Sequence, residues 1–281
     1  MHVIPSGRAL EAVRRMMRMD LSVVIPSSPD RLFFLSSCIA NVLRQTFKPK
    51  EIVVVYDKGK GKFFEDVLGA RVVESDGHGL SEARNKGVEA TSGDLIAFVD
   101  DDVVIADRNL FEKVVSEFES DERLGIYGVA VKPLFYSSAK LPDRFAWIFG
   151  CTDDGAVRPV GAFFVVRRKV FEDVGMFRSD LGRKGNLTSG EETDLILRAE
   201  EVGWKVKLDR SLKVHHLVFR RGWRYVLRRC FREGYSKAMI KGKKDVEKEY
   251  LKRYVKDPIG IFVLSVTVFG YLVGRVRSLT N

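Results

Sequence analysis

Three β-branched runs constrain this chain more than any other feature in it. Leu21-Ser-Val-Val-Ile-Pro26, Glu51-Ile-Val-Val-Val-Tyr56 and Asp94-Leu-Ile-Ala-Phe-Val99 are short, almost uniformly apolar, and each gives way to a proline or an aspartate. Such runs read as strands buried on both faces. Between the first two, Leu32, Phe33, Leu35, Ile39, Val42 and Leu43 recur at helical spacing behind Asp30, a residue able to cap the helix. Leu80 to Ala90 is a second helix, and Arg71-Val-Val73 a short extra strand. Strands joined by helices of this length imply right-handed crossovers, so the expected class is α/β with a mostly parallel central sheet flanked by helices.

The second half has a different rhythm but no linker before it. Gly161 to Val166 reads as a strand, Lys169 to Val174 as a short helix, and Leu181 to Asn186 as a Gly/Arg loop. Glu191 to Val202 is a helix and Trp204 to Leu208 a strand leading to His215-His216. The expected organisation is a basic N-terminal helix or arm over 1–20, one α/β body over 21–218, and a basic helical extension over 219–281. The arm is not a secretory signal, because Arg14, Arg15 and Arg18 interrupt its apolar residues. Cys38, Cys151 and Cys230 form no paired spacing, which points to a reducing compartment and to neither zinc knuckle nor disulfide framework. No Gly-x-Gly-x-x-Gly follows the first strand and no Walker motif is present, so dinucleotide and P-loop chemistry are disfavoured.

The polar residues that could do chemistry gather at strand ends. In an open sheet, ligands bind beyond the carboxyl ends of the strands, where Pro26, Ser27, Asp57 and the run Asp100-Asp101-Asp102 all fall. Three consecutive carboxylates repel one another unless a cation or solvent relieves them. Mg2+ or Mn2+ would do so while neutralising a substrate pyrophosphate; a solvated loop is the competing account. Glu191 and Glu192 open a helix, where the macrodipole favours acids, yet either could serve as a general base. One of His215 and His216 could complete a metal shell. Arg84, on the helix that starts near Gly79, could contact a base or phosphate, or form an ordinary salt bridge.

Read in order, Leu21–Pro26, Gln45-Thr46, Glu51–Asp57, Gly79-Leu-Ser-Glu-Ala-Arg-Asn85, Ser92-Gly-Asp94, Phe98–Asp102, Gly190-Glu-Glu-Thr-Asp194 and Gly203-Trp204 resemble the family 2 inverting glycosyltransferases of GT-A fold. The resemblance spans roughly residues 20 to 240. A narrower likeness, in Gly150–Thr152, Leu181–Arg183, Val214–His216 and Arg229–Lys237, is to archaeal members that extend dolichyl-phosphate-linked sugars. It implies a catalytic domain over 21–218 and a nucleotide-sugar donor, uridine-linked. Asp57 would bind the base beside Arg84, and Pro26 and Ser27 would line the base pocket. Asp100 would contact ribose or metal, Asp101 would join the donor contacts, and Asp102 would ligate Mn2+ or Mg2+, with His215 or His216. The base would fall on Glu192, where most relatives carry Asp, with Glu191 as the alternative.

Nearly all of the net charge of +10 lies between Arg220 and Asp257. A basic stretch of this kind seeks anions. It is followed by an uncharged run over 258–274, which as a helix would reach about 26 Å against a hydrocarbon core of roughly 30 Å. Gly270 and Gly274 in it have the spacing that lets helices pack closely. Three readings stay open: a marginal transmembrane helix, a helix lying in the membrane interface, or a buried helix completing the core or a dimer contact. The expected partners are a polyprenyl- or dolichyl-phosphate-linked sugar and the cytoplasmic face of the membrane. Two rivals stand beside this reading. A sugar-phosphate nucleotidyltransferase would need a Gly-rich, Arg-containing loop where Pro26-Ser-Ser-Pro-Asp30 stands, and a nucleic-acid binder would leave the aspartates unexplained.

Overall fold

In chain order the elements are β1 (Leu21–Ser27), α1 (Leu32–Leu43), β2 (Glu51–Asp57), β3 (Asp66–Val67), β4 (Ala70–Ser75), α2 (Leu80–Glu89), β5 (Leu95–Val99) and β6 (Val103–Val104). They continue with α3 (Leu110–Ser120), β7 (Leu124–Phe135), β8 (Phe163–Arg167), α4 (Arg168–Val174), α5 (Glu191–Glu201), β9 (Lys205–Val218), α6 (Trp223–Ala238) and α7 (Pro258–Thr280). This computed structural model describes residues 18–58, 66–76, 79–135, 147–152, 156–182, 189–218, 223–240 and 258–280. Most of the N-terminal arm, residues 183–186 of the Gly/Arg loop, and 220–222 and 241–257 of the basic stretch therefore lie outside the described residues.

The nine strands form one sheet in the order β3-β4-β2-β1-β5-β8-β7-β9-β6. Its first half is the parallel unit that the β-branched runs predict: β4, β2, β1 and β5 all pair in parallel. The second half is mixed, because β8 runs antiparallel to both β5 and β7, whereas β7 and β9 pair in parallel. Burial on both faces accounts for the unbroken apolar runs. Along β1, Val23 and Ile25 join one hydrophobic cluster with α1 and α3, while Val24 joins another with α2, α4 and α5. All five residues of β5 are inaccessible to solvent. The strand β7 carries no clean alternation in the sequence. Gly125 and Gly128 leave room there for Trp204 and Pro159, so packing rather than propensity makes it a strand.

The two described helices of the extension, α6 and α7, pack against each other. The glycine spacing read from 258–274 is used within the chain: Gly270 and Gly274 face α6, and Gly234 of α6 faces α7. A Cβ on Gly234 would strike the Thr267 carbonyl oxygen, one on Gly270 the Phe231 carbonyl oxygen, and one on Gly274 would lie 2.8 Å from Ala238 Cβ. Val263, Thr267, Gly270 and Gly274 make the buried face of α7. Its opposite face exposes Ile261, Phe262, Val268, Phe269, Leu272 and Val276. Among the described residues no helix is long and apolar enough to cross a membrane.

Alanine in place of a glycine inside a solvated helix normally stabilises by about 1 kcal/mol. Here the sign reverses. Gly270→Ala is expected to lower the unfolding free energy of the full chain by about 1–3 kcal/mol in urea titrations, since the clash is with backbone. Leu272→Ala, on the exposed side, should change it by no more than about 0.5 kcal/mol.

Candidate active site

The parallel register aligns the carboxyl ends of three strands. Ser27 pairs with Tyr56 and Val24 with Phe98, so Pro26-Ser27, Asp57 and Asp100–Asp102 emerge along one edge. All six line a single cleft of about 740 Å3, together with Arg31, Gly79 and Ala83. The triple aspartate is fixed by backbone. Asp100 N–H donates to Ala162 O at 3.0 Å, and Leu217 N–H donates to Asp102 O at 2.9 Å.

The three carboxylates part company. Asp101 is 5% exposed and accepts from Ser27 Oγ at 2.6 Å and from Arg31 Nε and Nη2 at 2.7 to 2.9 Å. It is a structural anchor. Burial pushes its carboxyl upward, and Arg31 and Ser27 only partly oppose this. Asp102 accepts from Arg31 Nη2 at 2.6 Å and meets His216 Nε2 at 2.8 Å. Burial alone would raise the Asp102 carboxyl, but His216 and Arg31 reverse this and hold it below its ordinary value. Asp100 lies 3.6 Å from Arg84 Nη2. One ligand atom each from Asp100, Asp102 and His216 fall within 4.8 Å of one another. Two carboxylate oxygens and an imidazole suit Mn2+ and, less selectively, Mg2+. The residues present fit such an ion.

Strand geometry separates the two histidines. β6 brings Val103 opposite His216, and His216 lies on the buried face of β9 with Val214 and Val218. His215, one residue earlier, is on the other face and does not join the group. Cys151 Sγ sits 3.9 Å from His216 Nδ1, on the far side of the ring.

Arg84 does not line the cleft, contrary to its expected contact with the nucleotide. It is 1% exposed and lies beneath the cleft floor. Its Nη1 donates to Glu191 Oε1 at 2.6 Å and its Nη2 to Gly161 O at 2.7 Å, with the Phe98, Phe164 and Phe177 rings around it. Such a charge needs a buried counter-charge, and Glu191 is it. Of the two candidate bases, Glu191 is therefore committed to an ion pair.

Glu192 is the one that lines a cavity. Gly190, at φ 108°, begins α5 in a left-handed conformation that sets the first helical turn. Glu192 then lines a second cavity of about 820 Å3, with Trp147, Arg158, Gly161, Arg229 and Lys237 among its walls. Its Oε2 is shielded from solvent and has no hydrogen-bond partner among the described residues. Burial, followed by the nearby Glu191 charge, pushes its carboxyl up to about 8 despite Arg84. The peptide Gly161-Ala162 ties the walls of the two cavities together: Ala162 holds Asp100, and a Cβ on Gly161 would lie 3.3 Å from Arg84 Nη2 and 3.5 Å from the Glu192 carboxyl carbon.

Some residues escaped the sequence reading. Arg31 gave no signal beyond a cation shortly after the first strand. Arg229, Glu233 and Lys237 fall in the stretch that carries the narrower resemblance, but their individual places in the cavity wall were not read from it; they lie at four-residue spacing on a helix.

The family model described as Glycosyl transferase family 2 matches residues 22–175. The glucosyl-dolichyl phosphate glucuronosyltransferase of Haloferax volcanii is 30% identical over an alignment covering 91% of this chain and 96% of that protein. Among solved structures, the mannosyltransferase PcManGT of Pyrobaculum calidifontis, in complex with GDP-Man and Mn2+, is similar with a TM-score of 0.63 at 16% identity, covering 92% of this chain and 76% of that one. TarS of S. aureus, in complex with UDP, has a TM-score of 0.52 at 12% identity over 93% and 92% of the two chains. The structural likenesses carry the GT-A fold, and the sequence matches carry more: this chain belongs to glycosyl transferase family 2 and is a glycosyltransferase.

Proposed function

We propose that the chain transfers a sugar, with inversion, from a uridine diphosphate donor to a hydroxyl of a sugar carried on polyprenyl or dolichyl phosphate. The observation that carries this reading is the division of acids between two adjoining cavities. Asp100, Asp102 and His216 converge in the strand-end cleft, whereas Glu192 lines the neighbouring cavity. The donor occupies the first, with Pro26, Ser27 and Asp57 around base and ribose. Asp100, Asp102 and His216 hold Mn2+ or Mg2+, which when bound offsets the charge of the departing diphosphate. Glu192 accepts the proton of the attacking hydroxyl. Its raised pKa makes it a stronger base than an exposed carboxylate. Arg84 and Glu191 set the position of Glu192 from below and make no substrate contact.

The lipid-linked acceptor is supported by the name of the Haloferax relative and by the exposed apolar face of α7. Arg275 and Arg277 at its end, with the basic residues before it in sequence, suit anionic headgroups. The protein then works at the cytoplasmic membrane surface, with α7 lying on the bilayer and not across it. A nucleic-acid role for the basic stretch would leave both cavities unused.

Thermal unfolding with UDP should show stabilisation, about 3 kcal/mol at a hundredfold excess over Kd, only when Mn2+ or Mg2+ is present, and Asp102→Asn should abolish it. Glu192→Gln should keep that stabilisation and lose about 10²–10⁴-fold in turnover. Because a base must be ionised to act, wild-type turnover should climb with pH up to about 8 and then level. A flat profile between pH 6 and 9 would remove Glu192 from the role. Replacing Phe262 and Phe269 by Ser should cut cosedimentation with anionic vesicles about tenfold or more without altering the UDP response.

A further inference from the structure

Resting on the reading that Asp100, Asp102 and His216 hold a divalent ion, we propose that Cys151 is a positioning residue for that ion: its thiol holds the His216 ring by Nδ1, so that Nε2 faces the carboxylates. An imidazole that binds a metal through one nitrogen needs a partner on the other, which fixes the tautomer and the plane of the ring. His216 Nε2 stands 2.8 Å from Asp102 Oδ1. Its Nδ1 stands 3.9 Å from Cys151 Sγ, within the longer reach of a sulfur contact. Both residues are buried, which leaves little water to compete for Nδ1.

The backbone brings thiol and imidazole together through one strand. His216 pairs in parallel opposite Pro133 of β7, and Val214 opposite Val131. Val131 also holds the Cys151 segment: Thr152 N–H donates to Val131 O at 2.8 Å, and Val131 N–H donates to Thr152 Oγ1 at 2.9 Å. Gly150 completes the cradle. It is left-handed at φ 73°, its N–H donates to Trp147 O at 3.0 Å, and a Cβ there would lie 3.8 Å from His216 Cε1. Thus β7 fixes the thiol against the ring, and β6 fixes the ring against the aspartates by setting Val103 opposite His216.

A buried cysteine often serves only as a small apolar filler. Here the surroundings of the sulfur give it a direction. Cys151 Sγ lies 3.9 Å from Phe149 O as well, and a carbonyl has no proton to give. The thiol proton therefore goes to Phe149 O, and the sulfur lone pairs turn to Nδ1–H. That is the tautomer whose Nε2 carries the lone pair a metal needs. An apolar group of similar size would fill the space but leave Nδ1–H dry and unpaired.

The test uses the full chain with C151S, C151A and C151V. Serine keeps a polar group beside Nδ1, alanine removes it, and valine removes it while filling the space. Mn2+ binding without nucleotide is read from the electron paramagnetic resonance signal of the free ion. It is expected to weaken about 10–100-fold in C151A and C151V, and about threefold or less in C151S. In two-bond 1H–15N spectra of the metal-free chain, with His216 assigned by His216→Gln, the Nδ1 resonance should move in C151A and C151V and much less in C151S. Mn2+ binding that is kept in C151V would mark Cys151 as a filler and overturn the proposal. Equal losses in serine and alanine would also overturn it, as would an Nδ1 resonance that stays in place in C151A and C151V. Should the wild type bind no Mn2+ while the Nδ1 resonance moves as expected, the metal reading falls and Cys151 still stands as the residue that positions His216.

Discussion

A guanidinium with 1% exposure, enclosed by three phenylalanine rings, must be answered by charge, and Arg84 is answered from two directions. Glu191 meets it at 2.6 Å and Asp100 approaches it at 3.6 Å. Removing one partner of such a pair costs about 3–5 kcal/mol, because the other is left charged and dry. That cost ties α2, which carries Arg84, to the start of α5 and to the end of β5. The strand-end cleft and the Glu192 cavity are therefore held in register by one buried residue, and the peptide Gly161-Ala162 completes the tie.

The aspartate triplet shows how a fold accommodates charges that repel. Asp101 turns inward, paired with the Arg31 guanidinium and hydrogen-bonded by the Ser27 hydroxyl. Asp102 shares Arg31 and takes His216, and Asp100 remains near Arg84. Each carboxylate thus has a different set of partners, although Asp101 and Asp102 share Arg31. Two of them, with His216, still present ligand atoms close enough to one another for a divalent ion. The sheet supplies this arrangement through pairing: β6 is only two residues long, yet it fixes His216 opposite Val103.

The C-terminal helix pair links the cavity beside Glu192 to an apolar exterior face. Glycines at 234, 270 and 274 let α6 and α7 approach through their backbones, which frees the remaining faces for other tasks. The inner face of α6 walls the cavity beside Glu192, and the outer face of α7 presents apolar side chains to the surroundings. On the proposed reading, contact with a membrane and access for the acceptor would be carried by two helices packed as one unit.

How much of this was legible in the residues varies with the range of the interaction. Local periodicity determined β1, β2, β5, α1 and α2, because an uninterrupted apolar run has one stable solution, burial on both faces, and an amphipathic stripe has another. The order of polar residues at those strand ends also marked the cleft, since strand direction alone carries them to one edge. Local pattern did not reveal β7, whose glycines make sense only against Trp204 and Pro159. Nor did it reveal the mixed half of the sheet. The choice between His215 and His216 rested on which face of β9 is buried, and that between Glu191 and Glu192 on where Arg84 lies. Sequence by itself therefore determined the family, the parallel half of the sheet and the set of candidate acids. Only the tertiary structure decided which acids are spent on buried ion pairs and which line a cavity, because a counter-ion seventy or a hundred residues away leaves no trace in local spacing.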